Sequence, residues 1–261
     1  MRRSAPHHFV ESLNPMKNLF ISDLHLANDQ PRLTEGFLAL IERYGTEIDT
    51  LYILGDWFES WVGDDDDDVW LNVITEPLKA LTARGVQIWV QHGNRDFVIG
   101  QDFLDRFGGQ LLPERITLIE HGVTLRIEHG DALCLSDEGY QAFRKMSRDP
   151  AWQTAALSQP LETRRQMAAM IRMKSQMTHA NNANNIVDVD PEEVIRVVGD
   201  ADGMLHGHTH RPIVHELVSE AGEKKLRYVL GDWRVDAETQ AGEAVIAWWD
   251  EAGLRLDTFR F

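Results

Sequence analysis

Cysteine is almost absent. Cys134 is the only one in 261 residues, so the chain has no internal disulfide and suits a reducing compartment. Basic residues are scarce, with 26 Lys and Arg against 42 Asp and Glu and a formal net charge of −16. That balance argues against broad nucleic-acid binding, which relies on cationic side chains neutralising phosphates. No nucleic-acid partner is therefore expected, although a phosphate ester stays open as a substrate if a metal ion supplies positive charge locally. No uninterrupted apolar run reaches the ~18 residues of a bilayer-spanning helix. Arg2 and Arg3 resemble the start of an export signal, but no apolar segment follows them, and a signal peptide is not expected. Residues 1–15 read as a disordered extension ahead of a natural start at Met16. Repeats and low-complexity tracts are missing as well; GDW occurs twice, at 55–57 and 231–233, with no repeat around it.

What is present is ordinary globular material, 43% hydrophobic and 8% aromatic, at a length suited to one domain with a small insertion. Short apolar runs predict buried strands at 18–22, 50–54, 86–91, 123–128, 203–205, 226–230 and 244–249. Leu33, Phe37, Leu40, Ile41 and Tyr44 recur at helical spacing, as do Val69, Trp70, Val73, Ile74, Leu78 and Leu81, with Gly85 as a stop and Pro77 as a site for a kink. This alternation predicts an α/β layered domain. Residues from about 136 to 185 break it, and read as a helical insertion with a Met-rich apolar face. Such a face ordinarily packs on the core, yet Met is adaptable enough to line a site for flexible acyl chains.

The chemistry sits at the strand ends. Asp23-Leu24-His25 follows the first predicted strand, Gly55-Asp56 the second, and His92-Gly93-Asn94-Arg95-Asp96 the third. His129-Gly130-Asp131 follows the fourth and His206-Gly207-His208-Thr209-His210 the fifth. Any one of these is weak evidence; the ordered set is strong, because sites in open α/β sheets form at the carboxyl ends of strands. Carboxylate, imidazole and amide oxygen without thiolate suit Mn²⁺, Fe²⁺ or Zn²⁺ and fit a Cys-based zinc site poorly. One carboxylate, such as that of Asp56, can give an oxygen to each of two ions. Two ions about 3.5–4 Å apart can activate water and clamp a phosphate for in-line attack. The run 64–68 of five aspartates reads instead as a solvated start to the helix beyond it, and Asp232 as a structural turn residue.

The ordered set resembles the calcineurin-like metallophosphoesterase superfamily. FISDLHL, YILGDWFESWVGDDD, HGNRDF, HGDALCLSDEGYQAFR, IVDVDPEEV, LHGHTHRP and YVLGDW are similar, in order, to segments of one branch, the UDP-2,3-diacylglucosamine diphosphatases of lipid A synthesis. The resemblance spans roughly residues 16 to 250 and implies a core of two facing β-sheets flanked by helices. The lid would be the 136–185 insertion within a single domain, 16–261. It implies two divalent metal ions, with Mn²⁺ suggested by the family. One would be held by Asp23, His25, Asp56 and His210, the other by Asp56, Asn94, His129 and His208. His206, His92 and His121 are not carried over, and Asp131 is expected to orient a neighbouring group.

The resemblance further implies hydrolysis of UDP-2,3-diacylglucosamine to UMP and 2,3-diacylglucosamine 1-phosphate. Asp56, Asn94, Arg95 and His208 would carry the catalysis. Asn94, Arg95, Asp137, Arg172, Ser175 and His208 would contact the substrate. GNRD departs from the GNHE of many superfamily members. Arg95 can hold a diphosphate oxygen but stays protonated and makes a poor general acid, which fits a good leaving group. His179 and Asn182 stand where related proteins often have Asn and Lys, and put the polar contacts of that helix in question. A lipid-linked nucleotide sugar as substrate implies a cytoplasmic protein, peripheral on the inner face of an inner membrane, with no oligomeric state indicated. The competing readings are a related metallophosphoesterase acting on a soluble nucleotide or dinucleoside polyphosphate, a phosphoprotein phosphatase, which GNRD argues against, and a non-catalytic scaffold, which the complete ligand set argues against.

Overall fold

Strands that are apolar at nearly every position need cover on both faces, and the chain provides it by stacking two sheets between helices. The structure, a computed structural model, describes residues 9–11, 16–181, 187–219 and 221–261, the side chains of 9–11 and 174–181 excepted. In chain order the elements are β1 (Phe9–Glu11), β2 (Asn18–Ile21), α1 (Pro31–Tyr44), β3 (Thr50–Leu54), α2 (Leu71–Ala83), β4 (Gln87–Gln91), α3 (Gln101–Leu104), β5 (Gln110–Leu111), β6 (Arg115–Glu120) and β7 (Val123–Glu128). Then come α4 (Glu138–Ser147), α5 (Pro150–Leu157), α6 (Leu161–Asn181), α7 (Pro191–Val198), β8 (Gly203–His206), β9 (Ile213–Val218), β10 (Lys224–Val229), β11 (Arg234–Val235), β12 (Gly242–Asp250) and β13 (Gly253–Arg260). One sheet has the order β11-β12-β2-β3-β4-β5, with β13 also paired to β12; the other has the order β1-β6-β7-β8-β10-β9. Of the extension expected to be disordered, Phe9–Glu11 pairs in parallel with β6, and residues 1–8 and 12–15 lie outside those described.

Successive side chains of a strand point to opposite faces, so each central strand serves two cores. Leu19 and Ile21 of β2, Leu51 and Ile53 of β3, and Ile88 and Val90 of β4 pack with Phe37 and Leu40 of α1 and Ile74 and Leu78 of α2. The residues between them, Phe20, Tyr52 and Leu54, meet Ile116, Leu118, Leu125, Ile127 and Leu205 of the second sheet. That sheet's outer face is covered by Val194, Val197 and Val198 of α7, packed with Met204. The α/β expectation, and the two facing sheets implied by the resemblance, are both what the structure contains.

Helix α2 carries Pro77 in its interior. It ends at Ala83, and Gly85 then takes a left-handed φ of 96° while donating its N–H to the Thr82 carbonyl at 2.9 Å. Helices α4, α5 and α6 fall inside the expected insertion. Asp137 caps α4 by accepting the Tyr140 N–H, and Asp149 caps α5 ahead of Pro150. The Met-rich face is not packed away as such faces ordinarily are: Met170 and Met173 are each 58% exposed.

The aspartate run is solvated as expected at Asp65 and Asp67, 64% and 78% exposed, but its side chains also have specific partners. Asp64 accepts the N–H groups of Gly100 and Phe103, both at 2.9 Å, at the beginning of α3. Asp65 pairs with Arg164, and Asp66 and Asp67 pair with Arg165. Only Asp68, which accepts the Trp70 N–H at 2.9 Å, stands at the start of α2. The run moors α6 to the core.

Candidate metal centre

The turns that leave the parallel strands carry the polar residues. Asp23 and His25 follow β2, Asp56 follows β3, and Asn94 and Arg95 follow β4; His129 follows β7, and His208 and His210 follow β8. Their backbones are unusual. Among the described residues, the non-glycine positions with positive φ are Asp23, His25, Asp56, His121, His208, His210 and Gln240. Five of these are expected metal ligands. Such a conformation costs a side-chain-bearing residue about 1–3 kcal/mol, and strain of this kind collects at functional sites.

Two glycines make the crowding possible. A Cβ on Gly93 would lie 2.2 Å from both the amide nitrogen and Oδ1 of Asp56, and a Cβ on Gly207 would lie 2.3 Å from Asp23 Oδ2. With those side chains absent, Asp56 Oδ1 accepts the Arg95 N–H at 2.8 Å, and Asp23 Oδ2 accepts the His208 N–H at 2.9 Å.

Among the described residues, two groups of side chains present ligand atoms within 4.8 Å of one another: Asp23, His25 and His210, and Asp23, Asp56 and His129. Asp23 belongs to both. Asp56 turns one oxygen each way, Oδ2 lying 3.9 Å from His25 Nε2 and Oδ1 lying 3.7 Å from His129 Nε2. Asn94 Oδ1 lies 3.0 Å from His129 Nε2 and 2.8 Å from His208 Nδ1. All seven expected ligands therefore gather in one place.

The electrostatics fit divalent cations. His25 and His210 face each other through Nε2 atoms 3.4 Å apart. Their far nitrogens are next to carboxylates, Glu59 Oε2 at 3.0 Å from His25 Nδ1 and Asp232 Oδ2 at 3.4 Å from His210 Nδ1. A carboxylate favours a proton on the nitrogen it faces; His210 Nε2 also faces Asp23 Oδ1 at 3.4 Å, so a metal ion bound there takes the place of a proton. His129 Nδ1 likewise donates to the Leu54 carbonyl at 2.8 Å, directing Nε2 into the site. Asp23 Oδ1 is fully buried, with His210 Nε2 3.4 Å away. Burial raises the Asp56 carboxyl, and Asp96 and Asp23 add to the rise against the pull of His129 and His25. Burial opposes a charge on His210, but Asp23 and Asp232 push its imidazole up to about 10. This many inward acceptors call for positive charge between them.

Glu59 and Asp232 belong to the site although local sequence does not mark them, and Asp232 is more than the turn residue its surroundings suggest. The signal for both was thin: Glu59 lies three positions after Asp56, and Asp232 occupies the second GDW. Asp131 accepts from the Tyr140 hydroxyl and from Arg144 Nε. His206 is fully buried; its Nδ1 donates to the Gly207 carbonyl and its Nε2 accepts from Arg227. Burial and the Arg227 charge lower it to about 3, so it is neutral. His92 donates to the Ile99 carbonyl, and His121 sits in the turn between β6 and β7.

The expected substrate contacts divide. Arg95 adjoins Asn94 at the centre, and Arg172 reaches in from α6, its Nε 3.0 Å from Glu59 Oε1. The Asp137 side chain is engaged in capping α4. Ser175 and His179 lie on α6 with side chains outside the described set, and Asn182 lies outside the described residues.

Comparison with known proteins agrees with this arrangement. A UDP-2,3-diacylglucosamine hydrolase of Cellvibrio japonicus is 44% identical over 220 residues, covering 84% of this chain and 91% of that protein. Proteins of the same name from Chromohalobacter salexigens and Serratia proteamaculans are 43% and 44% identical, over 84% and 85% of this chain and 89% and 92% of theirs. Residues 16–212, which contain every strand-end ligand described above, match the family profile described as calcineurin-like phosphoesterase. The chain therefore belongs to the calcineurin-like phosphoesterase family and is a metal-dependent hydrolase.

Proposed function

We propose that the chain hydrolyses the diphosphate of UDP-2,3-diacylglucosamine to UMP and 2,3-diacylglucosamine 1-phosphate, in lipid A synthesis. The observation that carries this reading is the facing pair of imidazoles, His25 and His210, backed by Glu59 and Asp232 and flanked by the buried Asp23 carboxylate. The substrate comes from the relatives that bear its name across most of the chain's length.

In this reading Asp23, His25, Asp56 and His210 hold one ion, and Asp56, Asn94, His129 and His208 hold the other. The mixed oxygen–nitrogen set suits Mn²⁺. When bound, such a pair supplies Lewis acidity and water acidic enough to react at neutral pH. The remaining work falls to side chains. Arg95 holds diphosphate oxygens through its guanidinium fork and, with Asn94 and His208, stabilises charge that develops on the phosphorus oxygens. Arg95 cannot release a proton, and a sugar phosphate leaving group does not need one. Asp137, Arg172 and Ser175 contact the substrate from the lid, the 136–185 insertion of a single domain spanning 16–261.

The acyl chains lie along the apolar faces of α4 to α6. The exposure of Met170 and Met173 supports contact of that lid with a bilayer surface. No helix among the described residues is long and apolar enough to cross a membrane. A lipid-linked substrate and an exposed apolar lid face support a peripheral position on the cytoplasmic face of the inner membrane.

The test compares hydrolysis of the UDP-diacyl sugar with that of its deacylated form. The acylated substrate should react at least tenfold faster in kcat/KM; equal values would favour a soluble nucleotide instead. Asp56→Ala should empty both ion sites and abolish turnover. Activity within tenfold of the unaltered chain would refute the shared-ligand assignment.

A further inference from the structure

Glu59 touches three groups with different tasks. Its Oε2 lies 3.0 Å from His25 Nδ1, while its Oε1 lies 3.0 Å from Arg172 Nε on α6 and 3.8 Å from Arg95 Nη1. Its side chain is 13% exposed. Its backbone is pinned beside the site: Glu59 N–H donates to the Leu26 carbonyl at 3.0 Å, and His25 N–H donates to the Asp56 carbonyl at 3.0 Å. An isolated bridge between Leu26 and Phe58 lies between those two bonds. The carboxylate thus has little freedom to serve one neighbour and abandon the others.

We propose that Glu59 is a positioning residue that couples closure of the lid to order in the metal pair. It keeps the His25 proton on Nδ1, so that Nε2 is free for a cation, and with its other oxygen it draws Arg172, and with it α6, over the site. This rests on the proposed role of His25 as an ion ligand. With a cation held at Nε2, His25 Nδ1–H would donate more strongly to Glu59 and so fix the carboxylate that Arg172 meets. When an anionic diphosphate arrives, Arg95 and Arg172 find a second partner next to Glu59, and the lid closes on a substrate already beside the metals. The mooring of α6 by Arg164 and Arg165 on Asp65, Asp66 and Asp67 sets the hinge end. Arg172, two turns further along the helix, is the end that reports on the site.

The experiment is hydrogen exchange of the α6 segment 161–173, with and without saturating Mn²⁺, alongside Mn²⁺ titration. In the unaltered chain Mn²⁺ should slow exchange of that segment several-fold. Glu59→Ala should weaken Mn²⁺ binding about 10–100-fold, the usual cost of losing a partner that orients a metal-binding histidine. At saturating Mn²⁺ it should also abolish the metal-dependent slowing. Glu59→Gln offers His25 a neutral acceptor of the same shape and so should keep more of the affinity, yet lose the slowing, because its single acceptor oxygen cannot serve His25 and Arg172 together and carries no charge to pair with Arg172. Arg172→Gln should lose the slowing while Mn²⁺ affinity falls only by the several-fold that the lost coupling accounts for, far less than in Glu59→Ala. Slowing that survives in Glu59→Ala or Glu59→Gln would overturn the proposal, as would unaltered Mn²⁺ affinity in Glu59→Ala. Circular dichroism confirms folding, and Glu59→Gln carries the test if the alanine variant fails to fold. An unaltered chain that binds no Mn²⁺ would instead remove the reading on which the proposal rests.

Discussion

Replacing Gly93 by alanine isolates the packing that holds the centre together. Gly93 does not have a left-handed backbone, so the added methyl perturbs by volume alone. That methyl would sit 2.2 Å from the amide nitrogen and from Oδ1 of Asp56, where ordinary contact begins at 3.4 Å. The two turns must therefore part by roughly 1 Å. Asp56 has no easy retreat, because its carbonyl accepts the His25 N–H and its Oδ1 accepts the Arg95 N–H. Overpacking of this kind costs about 1–3 kcal/mol, which for a chain of this size lowers Tm by roughly 2–12 °C. The functional loss should be larger than the stability loss suggests. A displacement of about 1 Å at reacting groups costs on the order of 100-fold in rate, and Asp56 faces both ligand groups. Thermal unfolding, Mn²⁺ titration and steady-state hydrolysis measure the three effects. Gly85→Ala is the control, since φ there is 96° but nothing lies within 4 Å of the added carbon: it should cost stability and leave Mn²⁺ binding intact. A Gly93→Ala protein with normal Mn²⁺ affinity and turnover within threefold would refute the argument that Asp56 is sterically locked.

Other substitutions probe the scaffold. Asp64→Ala strips acceptors from Gly100, Phe103 and the Trp61 indole; a loss of about 1–2 kcal/mol is expected, and an unchanged Tm would contradict the role assigned to this aspartate. Burial pushes the Cys134 thiol up to about 12, with Asp131 and Asp188 adding to the rise. A disulfide reagent at pH 8 should then leave the folded chain unlabelled and react at once after denaturation; rapid labelling of native protein is the contrary result. Burial raises the Glu120 carboxyl above its ordinary value despite the pull of His121. The folded chain therefore binds this proton more tightly than the unfolded one, and stability falls as pH rises from the ordinary glutamate range through the raised value. Glu120→Gln should raise Tm at pH 7 and lose that gain near pH 4; a lower Tm at pH 7 would reverse the sign.

The elements legible in the sequence are those buried on both sides. β2, β3 and β4 are apolar at consecutive positions because one set of side chains packs on α1 and α2 and the alternate set packs between the sheets. Such runs need no partner to be noticed. β9 and β13 escaped notice because they lie at sheet edges with one face in solvent, where IVHELV and GLRLDTFR mix charge into the pattern. β6 supplies Ile116 and Leu118 to the inner core, but Arg115, Thr117 and Glu120 dilute the run. β5 and β11, at two residues each, are set by the strands they meet.

The same division runs through the site. The expected ligands were legible because each stands at a fixed offset from a strand end, so local sequence carries both the residue type and its place. Asp232 and Glu59 act on the far nitrogens of His210 and His25, and any loop that reaches those nitrogens would serve; nothing in local spacing marks them. The aspartate run shows what such an omission leaves out. Read locally, repelling carboxylates before a helix belong in water. Arg164 lies 99 residues from Asp65 and meets it only because the insertion folds α6 back across that loop. The charge pattern was informative, but its complement was on another element, and repulsion within the run is offset by cations that topology delivers. An acidic run in a strongly acidic chain is thus best read together with the scarce arginines, because the fold must decide where so few cations go.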